Sequence, residues 1–501
     1  MNNHFYDQTF GKHATSDHVF LKTEDSEIRF DEFAALTAQL ANALVAAGLS
    51  AGDRVAVQAE KSATLLATTA ATIRAGGVYL PLNTGYTPTE LDYFIGDARP
   101  SIIIVDPAAM TDIAPLAERI GAVLFTLDAN GDGTLASAAQ PAATNFDTVP
   151  RGRDDLAAIL YTSGTTGRSK GAQLSHDNLV SNAAVLAETW RFTRDDVLLH
   201  MLPIYHTHGL FVACNLMAMV GGTMIFLPKF SVEAALQWMP QATSMMGVPT
   251  FYTRLLGSAD FTAAASQHMR VFISGSAPLL AETHDAFSAR TGKAILERYG
   301  MTETNMITSN PYDGDRRPGT VGMPLAGIEL RIADAETGKV CADGEIGIIE
   351  LRGDNVFQGY WDMPEKTAES FRADGFFITG DMAVRDAEGY ISIVGRDKDL
   401  IISGGLNVYP REVESLVDEV SGVQESAVIG VPHPDFGEAV VAIVAAEENA
   451  TTPEAITAAL SGKLAKFKQP KAIRLVAALP RNSMGKVQKA ELRKHYTALF
   501  S

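Results

Sequence analysis

The chain has almost no cysteine. Only Cys214 and Cys341 occur among 501 residues, which excludes a disulfide framework, and no spacing of cysteine or histidine matches a metal motif. A reducing, cytoplasmic setting is the expectation. A secretory signal is also lacking, because the first twenty residues carry His4, Asp7, Lys12, His13 and Asp17 without an apolar core. Long uncharged runs are scarce as well. The stretch from Gly209 to Leu227 is interrupted by Asn215 and split by Gly221-Gly222, so it predicts a buried helix followed by a strand over Thr223 to Leu227 rather than a membrane span. Positive charge is outnumbered, 41 Lys and Arg against 59 Asp and Glu, leaving a formal charge of −18. Such a surface repels nucleic acid and anionic bilayers at long range, and neither is expected as a partner. Internal repeats and low-complexity tracts are missing too.

A good part of the basic charge gathers at the end. Lys463, Lys466, Lys468, Lys471, Arg474, Arg481, Lys486, Lys489, Arg493 and Lys494 face the single acid Glu491. A basic tail on an acidic body suits phosphates, or is simply a solvated face.

With 46% hydrophobic residues over this length, more than one core is required, since single cores rarely extend past about 250–300 residues. Residues 20 to 105 alternate helix-like and strand-like segments: Phe30 to Ala47 helical, Val55 to Gln58 strand, Ala67 to Ala75 helical, Ile102 to Val105 a buried strand. That alternation predicts a mostly parallel sheet with packed helices. From about Pro324 the texture turns to short β-rich runs, the mark of a smaller, more antiparallel lobe. Arg396-Asp-Lys-Asp399 offers nothing apolar to bury, and about a hundred residues with their own strands and helices follow. The expected organisation is an α/β fold with a large N-terminal domain, residues 1–397, and a small α+β C-terminal domain, residues 398–501, with the joint near Lys398.

The chemistry is concentrated in Tyr161-Thr-Ser-Gly-Thr-Thr-Gly-Arg-Ser-Lys-Gly171, after the apolar run Leu156 to Leu160. Glycines 164, 167 and 171 let backbone N–H groups turn toward an anion, Ser163, Thr165, Thr166 and Ser169 add hydroxyl donors, and Lys170 adds a charge. It is a phosphate-gripping loop but not a Walker A loop, because Ser169 precedes the lysine and Gly171 follows it. Ser175 is placed to cap a helix through about Thr189. On periodicity Leu202-Pro-Ile-Tyr-His-Thr-His-Gly209, Gly275-Ser-Ala-Pro278 and Glu297-Arg-Tyr-Gly-Met-Thr-Glu303 are each expected where a strand ends, the place where open α/β sheets bind ligands.

Taken in order, the loop from Tyr161, Tyr299-Gly-Met-Thr-Glu303, Thr379-Gly-Asp381, Gly395-Arg396 with Ser403-Gly-Gly405, and Pro480-Arg-Asn-Ser-Met-Gly-Lys486 resemble the adenylate-forming superfamily of acyl-CoA synthetases, luciferases and peptide-synthetase adenylation domains across nearly the whole chain. The resemblance implies that ATP and a carboxylic acid form an acyl-adenylate with loss of pyrophosphate, in a site rich in cations and N–H donors. It assigns Thr162, Ser163, Gly164, Thr165, Thr166, Gly167 and Lys170 to the phosphates. Gly275, Ser276, Ala277, Pro278, Glu297, Arg298 and Tyr299 go to the rest of the ATP site, with Thr302 on the α-phosphate and Asp381 and Arg396 on the ribose. Glu303 is implied as the Mg²⁺ ligand, and Lys486 as the catalytic lysine between carboxylate and α-phosphate. The C-terminal domain is implied to be mobile about Lys398, bringing Ser403, Gly404 and Gly405 to coenzyme A.

Gly247-Val-Pro-Thr-Phe-Tyr-Thr-Arg254, together with the clusters at 203–209, 274–277 and 297–298, is closely similar to the malonyl-CoA synthetases. The resemblance then implies a dianionic acid, malonate or methylmalonate, met by His206, Arg254, Ser276 and Met301, with Arg254 as a bidentate partner for the second carboxylate. The alternatives are a short-chain or aryl acyl-CoA synthetase and a non-catalytic acyl-adenylate binding protein.

Overall fold

The computed structural model describes residues 2–162, 169–403, 406–461, 463–482 and 485–500. They pack as two compact units, Met1–Glu329 with Arg352–Phe371, and Leu330–Leu351 with Arg372–Ser501. Lys398, expected at a domain joint, lies within the second unit.

The first unit contains two sheets. One has nine described strands and is parallel through its middle, where His200, Gly247, Ser274 and Met301 close strands Val197–His200, Ser244–Gly247, Val271–Ser274 and Leu296–Met301. Registers Gly247↔Ser274 and Ser274↔Glu297 align these carboxyl ends on one edge. Helix Pro249–Leu256 leaves that edge, and Tyr252, buried among Phe272 and Phe287, donates its hydroxyl to the Ile273 carbonyl at 2.6 Å. The other sheet has seven described strands, with Arg54–Gln58, Val78–Pro81 and Ile102–Val105 parallel in its body.

The segment expected to grip phosphate is flanked by two strands. Leu156–Thr162 and Lys170–Ser175 pair antiparallel, Thr162 opposite Lys170. Helix His176–Thr189 follows, its amino end closed by Ser175 Oγ accepting from the Asn178 N–H at 3.1 Å. That helix fixes the next hairpin: Asn182 donates to the Met306 carbonyl at 2.8 Å and accepts from the Met306 N–H at 3.1 Å. The uncharged stretch after Gly209 is divided as expected, into helical turns His208–Cys214 and Asn215–Val220 and the strand Thr223–Phe226, all buried apart from a half-buried Val220. Among the described residues no helix is long and apolar enough to cross a membrane.

The second unit carries the β-rich lobe, in which Gly347–Arg352, Phe377–Arg385 and Ile391–Arg396 pair antiparallel. It also holds a mixed sheet built on the long hairpin Val423–His433 and Gly437–Ala446, with Pro410–Asp418 and Pro453–Leu460 contributing to one core.

Candidate active site

On the first unit's sheet edge the structure gathers the sequence candidates around a buried guanidinium. Arg298 is 3% exposed, and its Nε and Nη2 have no hydrogen-bond partner among the described residues. Strand neighbours on both sides force it inward, and Gly275 makes room for it, since a Cβ there would lie 2.3 Å from Arg298 Cζ. Burial pushes the guanidinium down to about 10, so it remains charged at neutral pH. Beside it Ser276 stands at φ 72, a conformation a side chain rarely adopts, with its Oγ 3.2 Å from His208 Nδ1. His208 is buried and held well below the usual imidazole range, first by desolvation and then by the Arg298 charge. The imidazole is therefore neutral, and a neutral donor–acceptor group and a fixed cation stand together where an anion would be stabilised.

A cavity of about 320 Å³ opens on the same unit, lined among others by Lys61, Met201, Tyr205, Phe230, Phe251 and Arg254. Arg254 is exposed, with its guanidinium 5.1 Å above the Phe230 ring, which itself stacks on Phe251 at 4.0 Å. Lys61 is buried, and its ammonium donates to the carbonyls of His200 and Leu227 at 3.0 and 2.6 Å and to His200 Nδ1 at 2.7 Å. His200 Nε2 in turn donates to the Gly209 carbonyl at 2.9 Å. This relay fixes the His206–Gly209 turn to the strand ends.

Thr302 and Glu303 occupy the tip of the hairpin Leu296–Met301 and Asn305–Ser309. Glu303 is 5% exposed and accepts at Oε1 from the Tyr360 hydroxyl at 3.0 Å. A buried carboxylate on a fixed hairpin is the hard oxygen donor that Mg²⁺ takes in company with phosphate oxygens, so the residues fit that ion. Met301 and Tyr299 are half-buried on the same strand, and Glu297 accepts from the Leu279 N–H at 3.3 Å, tying down the Gly275–Pro278 turn, where Ala277 and Pro278 are exposed. His206 is half-buried in the neighbouring loop. Ser163, Gly164, Thr165, Thr166 and Gly167 lie outside the described residues, as do Gly404 and Gly405.

The second unit holds the remaining candidates. Asp381 and Arg396 face each other in register and form an ion pair at 3.0 Å. Lys398 is exposed in the short turn Asp397–Asp399, Ser403 is buried at the end of Ile401–Ser403, and Lys486 is exposed, its N–H donating to Asn482 Oδ1 at 2.9 Å. Sequence reasoning did not single out Lys61, His208 or Tyr360. Only His208 left a signal, two residues beyond His206 in the same loop.

The AMP-binding enzyme family matches residues 8–361, and the AMP-binding enzyme C-terminal domain matches residues 412–486. The chain belongs to the AMP-binding enzymes. Over 458 residues it is 37% identical to the mitochondrial malonate–CoA ligase of Mus musculus, covering 84% of this chain and 78% of that one. It is 35% identical over 490 residues to a feruloyl-CoA synthase from Amycolatopsis sp, covering 97% and 96%. The crystal structure of ATP-bound MatB from Rhodopseudomonas palustris matches with a TM-score of 0.98 and 57% identity over 100% of both chains.

Proposed function

We propose that the chain is an ATP-dependent malonate–CoA ligase of the AMP-forming kind, with methylmalonate as a second acid. A malonate carboxylate oxygen attacks the α-phosphorus of ATP, the bond to the β-phosphate oxygen breaks, and pyrophosphate leaves. The coenzyme A thiol then adds to the acyl carbon of malonyl-AMP, giving malonyl-CoA and AMP as the thiol proton is released. Both steps bring negative groups together, so fixed cations and donors carry the catalysis. Magnesium, when bound, screens phosphate charge; Glu303 is the carboxylate that would hold it. Lys170 and Thr302 serve the phosphates, and Lys486 serves the adenylation step. Asp381 and Arg396 are proposed for the ribose, and Ser403 for coenzyme A.

The observation that carries the choice of acid is Arg298. A buried guanidinium with two nitrogens unpaired among the described residues is costly unless an anion joins it, and beside neutral His208 and Ser276 it favours a substrate with a second carboxylate. Arg254 and His206 are proposed to meet the same acid from the cavity side, with Met301 beside them. A feruloyl-CoA synthase at similar identity shows that family membership alone does not choose the acid, whereas an aryl monoacid would leave Arg298 without a partner. Two free cysteines, Cys214 and Cys341, suit a reducing cytoplasm. Mass spectrometry of a reaction with ATP, Mg²⁺, malonate and coenzyme A tests the proposal. Malonyl-CoA and AMP in equal amounts support it; ADP, or no thioester, refutes it.

A further inference from the structure

The segment Gly359-Tyr-Trp-Asp-Met-Pro-Glu-Lys-Thr367 has no part in the sequence reading, yet it packs against two of the groups that the reading depends on. Its first two residues form a short strand against the strand leaving the phosphate loop, Tyr360 opposite Ala172 and Gly359 opposite Gln173, and the Trp361 N–H donates to the Gly171 carbonyl at 2.7 Å. Thr367 holds the backbone in place, its Oγ1 accepting from the Tyr360 N–H at 2.9 Å. Gly359 permits the close approach: it stands at φ 136, and a Cβ there would lie 2.6 Å from Thr367 Cγ2. So fixed, the buried Tyr360 side chain meets Glu303 and Lys170, with the Ser370 hydroxyl as a further hydrogen-bond partner. The Tyr360 hydroxyl donates to Glu303 Oε1 at 3.0 Å, and the Lys170 ammonium lies 4.1 Å from the ring centroid. The Phe357 N–H, three residues earlier, donates to the Glu303 carbonyl at 2.8 Å, so one segment grips this residue by main chain and side chain.

We propose that Tyr360 is a positioning residue for the adenylation step: its hydroxyl aims the Glu303 carboxylate for the divalent cation, and its ring face holds the Lys170 ammonium for the phosphates. The geometry separates the two roles by atom. A carboxylate with one oxygen engaged by a neutral donor loses rotational freedom and keeps its charge, which lowers the cost of taking a hard cation. An ammonium over an aromatic face is attracted by the ring's negative face, which fixes where its charge stands.

This inference rests on the ligase reading above, and its test separates the two. Tyr360→Phe removes the hydroxyl and keeps the ring; Tyr360→Leu removes both. Mg²⁺ dependence is read from ATP–pyrophosphate exchange with malonate, and cation binding independently from Mn²⁺ titrations of enzyme with ATP followed by electron paramagnetic resonance. For Tyr360→Phe the half-saturating Mg²⁺ and the Mn²⁺ dissociation constant rise about tenfold, the size expected for one hydrogen bond to a charged group. The KM for ATP at saturating Mg²⁺, the thermal midpoint and thioester formation from supplied malonyl-AMP stay unchanged. Tyr360→Leu additionally raises the KM for ATP. Cation dependence within twofold of the parent in Tyr360→Phe overturns the proposal, as does an equal fall in every parameter together with the thermal midpoint, which marks a merely structural tyrosine. Identical ATP constants for the two variants overturn the part assigned to the ring. Should the parent enzyme show no malonate-dependent exchange, the ligase reading fails, while the Mn²⁺ titration still decides the role of Tyr360.

Discussion

Replacing Arg298 by methionine separates substrate recognition from folding, because the two respond in opposite directions. The guanidinium is 3% exposed, and two of its nitrogens lack a hydrogen-bond partner among the described residues. If each donates to a malonate carboxylate, at about 1.5 kcal/mol or more per hydrogen bond to a charged group, the variant loses about 3 kcal/mol of binding. That is on the order of a hundredfold in kcat/KM. Stability moves the other way or not at all, since the charge is buried with two nitrogens lacking a hydrogen-bond partner among the described residues and chiefly the nearby Tyr252 and Glu297 to offset its desolvation. The assay pairs steady-state kinetics, varying malonate and ATP separately, with thermal unfolding of the free enzyme. A malonate-specific loss with an unchanged or raised Tm is expected. Two results refute the reasoning: a rise in the ATP KM with malonate unaffected, which returns Arg298 to the nucleotide as the family resemblance has it, or a Tm lowered by several degrees, which reveals a structural partner.

Further outcomes follow from the second unit. Lys486→Ala should lower adenylate formation by about 10²–10³-fold, the cost of removing a donor aimed at developing charge, while thioester formation from supplied malonyl-AMP is spared; stopped-flow measurement of the two half-reactions checks this. Lys398→Pro, which fixes φ in the exposed turn Asp397–Asp399, should harm thioester formation more than adenylation, and equal harm to both speaks against a hinge there. Asp418 is pushed up to about 6 by burial, so its folded-state pKa lies above the unfolded one. Its contribution is present below the unfolded pKa near 4 and lost as pH rises through about 6. Asp418→Asn should therefore stabilise the chain by about 1 kcal/mol at pH 7.5, discounted for partial exposure, and by nothing below pH 4, as read from urea unfolding.

Where local pattern and tertiary environment agree, the sequence was readable. Four consecutive β-branched residues make Ile102–Val105 a buried strand, and Ser175 before an apolar-periodic run marks the start of His176–Thr189. The cluster at 275–278 follows its strand as expected, whereas residues 297–301 belong to a strand themselves and only Thr302 and Glu303 lie beyond its end. The return strand Lys170–Ser175 was not legible, because Lys-Gly-Ala-Gln-Leu-Ser has no β-branched residue and takes its shape from pairing with Leu156–Thr162. Nor was the burial of Arg298: two adjacent charges carry no local sign of burial, and it is the missing side chain at Gly275 that leaves room for the guanidinium. The role of partner to the second carboxylate therefore fell in the sequence to Arg254, which the structure leaves exposed over Phe230. Tyr360 had no local signal, since its contacts with Glu303 and Lys170 span 57 and 190 positions.

The central claim is that this chain uses ATP to activate an acid bearing a second negative charge. Its most direct measurement is ATP–pyrophosphate exchange with Mg²⁺ and the acids malonate, methylmalonate, acetate, propionate and ferulate, each supplied alone. Strong exchange with malonate, exchange with methylmalonate and little with the three monoacids is the expected result. Exchange with ferulate or propionate and none with malonate, or no exchange with any acid, contradicts the claim.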